Sequence, residues 1–342
     1  MTLSRRAFLK SAGLAGVGLL WQPPARRLVG EFPPADQPLT HWDGSPKGRI
    51  LLNVMTVYAH PSWKSPATGY YYWNDVVAVQ GAVPGYGLYN TNSTWLQVDG
   101  GYIYSSWVQP VNDIPDNPAV PLGDGGVWGM VSVPFTWTRA EPSDEGRRRE
   151  RMYYSTVHRL TGLENGYYRV EEIYGGVSWI KAGHVRLIPP EEITPLSPDV
   201  PAEAKRIEVS IGEQTLRAYE GDQMVFSTRV ATGVPETPTP LGEFTIYLKR
   251  HGQRMVGGQG EGHYNLPGIP WIGYFTPSYA AIHGTYWHND YGRRHSNGCV
   301  NVHPEAAKWL FRWTTPFANY GAFGTSDDPQ QGIVGTKVIV RW

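Results

Sequence analysis

Ala280-Ala281-Ile282-His283-Gly284-Thr285, followed by Ser296-Asn297-Gly298-Cys299-Val300-Asn301, contains the only cysteine of this 342-residue chain, sixteen residues after His283. A lone cysteine has no internal disulfide partner, so it is either a small buried hydrophobe or a reactive thiol. Asn297 and Gly298 just before it permit a tight, positive-φ backbone, and a helical signal comes after it, so backbone N–H groups are expected around the sulfur. An ordinary thiol, with a pKa of about 8.5, is only a few per cent ionised at neutral pH. Lowering it by about two units, worth about 2.7 kcal/mol, makes most of it thiolate, and a paired imidazole supplies such a shift. His283 is the expected partner, delivered by a strand end to a sheet edge, with Gly284 letting the chain turn away. The ring needs a third group to orient it; Asp290 is the acidic residue nearest in sequence, and the Gly284 carbonyl is the expected orienter.

Outward from this stretch the pattern is β-rich. Ile207, Val209 and Ile211 alternate, Leu216 to Tyr219 returns after a turn, and Met224 to Val230 runs on as a third strand, which predicts an antiparallel meander. Further strands are predicted at Phe244 to Leu248, Tyr279 to His283 and Lys337 to Val340. One helix is predicted just beyond the cysteine, with Pro304 in its first turn, a stripe of Ala306, Trp309, Leu310 and Trp313 facing the sheet, and Pro316 past its end.

The full string resembles the signature of L,D-transpeptidases with the YkuD-type catalytic domain. Thr237-Pro238-Thr239-Pro240-Leu241-Gly242-Glu243-Phe244 is similar to an upstream segment of that family, and Asn301 to Trp309 to its post-cysteine helix. The resemblance covers about Lys205 to Trp342. It implies a compact β-rich catalytic fold in which the Cys299 thiolate attacks a peptidoglycan stem peptide, with His283 as base and then acid. By the same resemblance, the expected donor is a tetrapeptide stem cut before its terminal D-alanine, with the acyl group passing to an amine of another stem. The resemblance implies an oxyanion hole from the backbone N–H groups of Gly298, Cys299 and Asn297, supporting roles for Ser296 and Asn301, and acylation of Cys299 by carbapenems. Many members have histidine where this chain has Asn297, and Asn301 is read either as support for the site or as a loop anchor. Tyr264, Trp271 and Tyr274 are read as a wall over the stem or as core, and Arg294 as a contact for substrate carboxylates or as a solvated side chain. Water as the acceptor, giving an L,D-carboxypeptidase, stays open, as does a wall-binding protein with an idle catalytic domain.

Upstream, short strands broken by glycine and asparagine turns predict two small barrels. Trp95-Leu96-Gln97-Val98, Tyr102-Ile103 and Trp107-Val108 are echoed by Tyr167-Tyr168-Arg169-Val170, Trp179-Ile180 and His184-Val185, and both copies resemble bacterial SH3-like domains, serving as wall-polymer binders or as spacers. The predicted organisation is mainly β: an export signal over 1–27, a linker over 28–48, modules at 49–112 and 113–190, a proline-rich connector over 191–204 and a catalytic domain over 205–342. Ser4-Arg5-Arg6 before a short apolar run reads as a twin-arginine export signal, so the expected location is the cell envelope, wall-associated or held by an uncleaved signal. With 30 basic and 30 acidic residues, the chain lacks the positive charge that holds a polyanion, which excludes nucleic acid as an expected partner. No cofactor is expected. His288, His295 and His303 with His283 and Cys299 follow no metal-site spacing, so no metal is expected either.

Overall fold

The computed structural model describes residues 41–172, 176–258, 260 and 263–342. The expected export signal over 1–27 and residues 28–40 of the expected linker lie outside the described residues. No helix among the described residues is long and apolar enough to cross a membrane. The chain divides into two compact units, one running to Val111 and taking in Met255–Leu266, the other made of Asn112–Arg254 and Pro267–Trp342.

In the first unit order begins before residue 49. His41 is buried, and the strand Lys47–Ile50 already pairs with Val76–Ala78 and Val108–Val111. A second sheet runs in the order Ala67–Tyr72, Val54–Tyr58, Gly101–Tyr104, Asn92–Val98, Gly81–Tyr89. Asp99 and Gly100, the latter at φ +81°, make the two-residue turn that sets Val98 opposite Gly101. The core of this unit gathers Trp95, Leu96, Ile103 and Ile50.

The echo in the sequence falls on equivalent elements. Asn92–Val98, Gly101–Tyr104, a 3-10 turn over Ser105–Trp107 and Val108–Val111 in the first module match Tyr167–Glu172, Gly176–Lys181, a 3-10 turn over Ala182–His184 and Val185–Ile188 in the second. The second module is a seven-stranded sheet whose Glu164–Tyr167 hairpin turns through Asn165 (φ +49°) and Gly166 (φ +77°). It is not set apart from the C-terminal part of the chain: Trp128, Val157, Ile188 and Ile193 belong to the same apolar core as Ile207, Leu216, Ile282 and Phe311. The expected connector over 191–204 is bound down as well. Ile193 is buried, Glu192 takes both Arg186 nitrogens at 2.6 and 2.8 Å and also Lys308, and Leu196 N–H donates to the Arg312 carbonyl at 3.1 Å.

The C-terminal part holds two five-stranded sheets. The first runs Gln223–Arg229, Thr215–Glu220, Lys205–Ser210, Lys337–Arg341, Gly242–Thr245. The meander is antiparallel as predicted, but the last strand inserts parallel to Lys205–Ser210 and makes the sheet mixed. The second runs Val300–Val302, Ala281–Gly284, Tyr264–Tyr274, Leu248–Gly257, Thr325–Ser326. The strand expected from Tyr279 starts at Ala281, because Tyr279 has φ +64° in a turn closed by its N–H on the Thr276 carbonyl. Likewise the strand expected over Phe244 to Leu248 ends at Thr245, and Leu248 opens another.

The α-helix Pro304–Trp313 packs on this framework with Ala307, Leu310, Phe311 and Trp313 buried, a face turned slightly from the predicted stripe. Trp309 is half-buried and stacks on Phe226 at 4.2 Å. The last carbonyls of a helix lack intrahelical partners, and two buried lysines supply them here. Lys249 donates to the Phe311 and Thr314 carbonyls, and Lys205 to those of Trp313 and Ser197 at 3.0 and 2.7 Å.

Candidate active site

Strands Ala281–Gly284 and Val300–Val302 lie side by side and parallel, with Ile282 opposite Val300, His283 opposite Asn301 and Gly284 opposite Val302. Paired residues of a ladder share a face, and alternate residues of a strand return to it. Cys299, directly before the second strand and two residues from Asn301, therefore joins His283 and Asn301 on one face. The fifteen residues between the two strands, 285–299, form the crossover that parallel pairing demands.

His283 is 3 % exposed, and its Nδ1 lies 3.0 Å from the Gly284 carbonyl. A carbonyl only accepts, so Nδ1 carries the proton and Nε2 is left as the base. Asp290 takes no part in holding this ring: its Oδ2 accepts from Arg293 at 2.8 Å and lies 4.0 Å from His295 Nδ1. Gly284 is extended strand rather than a turn, against expectation. Glycine is needed there because a Cβ would stand 2.9 Å from Pro270 Cγ and 3.0 Å from Pro304 Cα.

The cysteine loop is tied to the segment before Thr237-Pro238. Ala231 exchanges backbone hydrogen bonds with Asn301, and Val234 N–H donates to the Ser296 carbonyl at 2.9 Å. Thr239, 1 % exposed, accepts from Gly233 N–H at 2.9 Å and donates to the Cys299 carbonyl at 3.4 Å. Ser296 Oγ donates to the same carbonyl at 2.5 Å and accepts from Gly298 N–H at 3.2 Å. Gly298 has the predicted positive φ, +108°. Its N–H is turned toward Ser296 Oγ.

Burial acts against charge on both members of the expected thiolate–imidazolium pair. Cys299 is partly exposed, yet its thiol is enclosed closely enough that burial pushes it up to about 11, against a backbone hydrogen bond from Ala281. Burial also lowers His283 to about 4, opposed by the Gly284 bond. Both shifts favour the uncharged forms, because a low-dielectric surrounding penalises charge. At neutral pH the resting pair is a thiol and a neutral imidazole.

The other named residues divide. Asn301 is 1 % exposed, its Nδ2 lies 2.9 Å from His288 Nε2, and its Oδ1 has no hydrogen-bond partner among the described residues. Tyr274 pairs with Ala281 and so shares the face of His283. Trp271, at φ +57° and 2 % exposed, packs on Phe311 and His251 as core. Tyr264 falls in the segment grouped with the first unit. The Arg294 guanidinium lies 4.5 Å over the Trp342 ring. Trp287 and His288 were not picked out as site residues in the sequence. Trp287 stands 5.9 Å, ring to ring, from His283, and His288 is buried with its Nδ1 accepting from Asp290 N–H at 3.2 Å. Both lie in the irregular crossover, where periodicity carries no signal. Among the described residues no cluster of three His, Cys, Asp or Glu side chains is placed to hold a metal ion.

Residues 204–340 match the family model of the YkuD L,D-transpeptidase catalytic domain. The chain is 33% identical over 101 residues to a YkuD protein of Bacillus licheniformis, an alignment covering 29% of this chain and 53% of that relative, about half its length. To L,D-transpeptidase 1 of Mycobacterium tuberculosis it is 25% identical over 242 residues, 63% of this chain and 88% of that one. The NMR structure of the catalytic domain of an E. faecium L,D-transpeptidase matches 40% of this chain and 96% of its own at 25% identity, with a TM-score of 0.31.

Proposed function

Since residues 204–340 belong to the YkuD family of L,D-transpeptidase catalytic domains, we propose that the chain is an exported cysteine transpeptidase of peptidoglycan, acting in the cell envelope. The observation that carries this reading is the parallel register that sets Cys299 and His283 on one face, with the His283 proton held on Nδ1 by Gly284. The substrate is a tetrapeptide stem. As Cys299 Sγ bonds to the carbonyl carbon before the terminal D-alanine, its proton passes to His283 Nε2. The carbonyl oxygen takes the negative charge, which backbone N–H groups of the Asn297-Gly298-Cys299 loop stabilise as it develops. The C–N bond then breaks, His283 returns its proton to the leaving D-alanine amine, and the acyl group stays on sulfur as a thioester. An amine of a second stem attacks the thioester, gives a proton to His283, and releases Cys299, which recovers that proton.

The same cycle with water as acceptor yields a trimmed stem and no cross-link. The modules ahead of the catalytic domain resemble SH3-like wall binders, and contact with wall polymer is the role proposed for the first of them. Purified tetrapeptide muropeptides incubated with the full chain are expected to give cross-linked dimers and free D-alanine, and Cys299→Ala is expected to give neither while keeping the fold. Free D-alanine with trimmed monomers alone would assign the carboxypeptidase. Absence of D-alanine from a folded wild type, together with no carbapenem adduct on Cys299 by intact mass, would remove the catalytic reading.

A further inference from the structure

A chain of rings leads from the second module to the catalytic base. Tyr153, the last residue of the strand Arg148–Tyr153, stacks on Tyr286 at 5.4 Å with planes 20° apart. Tyr286 is 2 % exposed, and its hydroxyl donates to the Pro267 carbonyl at 3.0 Å. It meets Trp287 edge-on at 5.1 Å, and Trp287 in turn stands 5.9 Å from the His283 ring. Tyr286 and Trp287 lie in irregular backbone between the strand that carries His283 and the cysteine loop. Such backbone has no ladder to hold its shape, so its side-chain contacts decide where Trp287 stands.

The junction beneath these rings is close. A Cβ on Gly252 would come within 2.1 Å of the Val157 carbonyl oxygen, and one on Gly268, at φ +60°, within 2.3 Å of His158 Cε1. Arg254 pairs with Glu172 at 2.5 Å and with Glu150, and Arg159 donates to the Tyr320 and Gly321 carbonyls at 3.2 and 3.0 Å. The close packing at Gly252 and Gly268 holds the module in one orientation, so the Tyr153 ring is presented to Tyr286 at a fixed place, while the ion pairs and hydrogen bonds of Arg254 and Arg159 add stability to the junction.

We propose that the second module is a working part of the active site: through Tyr153 it fixes the Tyr286-Trp287 wall that encloses His283, which makes Tyr153 a positioning residue for the catalytic base. This rests on the transpeptidase reading only for the reaction affected. The ring chain sets where the base stands and how dry it is, whatever acyl group the thiol receives.

The test compares Tyr153→Ala, Tyr153→Phe and Arg254→Gln in the full chain. Tyr153→Ala removes the ring, Tyr153→Phe keeps it, and Arg254→Gln weakens the junction without touching the rings. Three quantities are read for each: the melting temperature, the maximal rate of Cys299 acylation by a carbapenem, and the titration of the His283 ring by NMR, which needs no substrate. Tyr153→Ala is expected to lower the acylation rate about tenfold and to move the His283 midpoint upward as water reaches the ring. Tyr153→Phe should restore both, and Arg254→Gln should lower the melting temperature while leaving both in place. If Tyr153→Ala behaves like Arg254→Gln, with rate and midpoint unchanged, the proposal is overturned. A wild type that refuses carbapenem and muropeptide alike would sink the transpeptidase reading, and the His283 titration would then decide the ring proposal by itself.

Discussion

With Nδ1 donating to the Gly284 carbonyl, the His283 ring is held in the tautomer that leaves Nε2 basic, and no carboxylate is needed to hold it there. A neutral orienter also suits a buried ring, since a charged one would raise the imidazole and favour the imidazolium. In the proposed cycle the proton stays on sulfur and moves only as the carbonyl is attacked. This fixes the expected pH dependence. His283, lowered to about 4 by burial, must be unprotonated to accept, so Cys299 acylation by a carbapenem should rise through about pH 4. The rate should then stay level across neutrality until the thiol itself ionises near 11. A stopped-flow profile with a limb between pH 6 and 9 instead would show a preformed ion pair. The Gly284 orienter of His283 was legible in the residues themselves. The protonation state was not, because it depends on how completely segments apart in sequence, Ala281 among them, enclose the sulfur.

At the scale of elements, the helix that comes after the cysteine is read easily at its start and poorly at its end. Pro304 marks the first turn, and His303 Nδ1 accepts from Glu305 N–H. The closing carbonyls, however, are met by Lys249 and Lys205, which lie far back in the sequence and which no local pattern links to the helix. Lys249 is buried, and burial holds its ammonium well below the usual lysine range, so the two carbonyl acceptors are what make its placement tolerable. Lys249→Met keeps the length of the side chain and leaves both carbonyls unpaired. The expected loss is about 2 kcal/mol, the unpaired carbonyls outweighing the relief of a desolvated amine. Urea unfolding of the two proteins, compared at equal slope, measures it. The parallel insertion of Lys337–Arg341 beside Lys205–Ser210 was hidden for the same reason: strand alternation shows which residues face the core but not which strand becomes the neighbour.

Across the whole molecule, neutral buried histidines recur. Burial lowers His251 to about 3 and His283 to about 4, takes His288 well below the ordinary imidazole value, and lowers His295 as well. Each ring binds a proton more readily unfolded than folded, so its contribution is present above about pH 6.5 and is lost as the pH falls toward the folded values. For His283 alone the difference is on the order of 3 kcal/mol. The melting temperature should therefore drop steeply between about pH 6.5 and 4. His251 offers a specific check. Neither of its ring nitrogens has a hydrogen-bond partner among the described residues, and it stacks on Trp128 at 4.6 Å beside Phe311. His251→Phe should be neutral or stabilising at pH 7 and should make the acid loss shallower. A calorimetric pH series showing an unchanged slope would mean that this ring does not titrate in the unfolding range.

The chemistry was local and therefore readable: a single thiol, a glycine before it that takes the positive φ, a histidine at a strand end with a carbonyl next to it, and turn residues that punctuate each small sheet. Side-chain type and backbone permission belong to single residues and their neighbours, and the sequence states them directly. Tertiary structure decided what depends on segments meeting across long separations. It set Cys299 and His283 on one face by parallel pairing, enclosed the thiol and the ring so that charge on either is disfavoured, and closed the helix with lysines from two other strands. It also joined the second module to the catalytic core through Tyr153 and Tyr286. Those outcomes arise from exclusion of water and from packing, which are properties of the assembled chain.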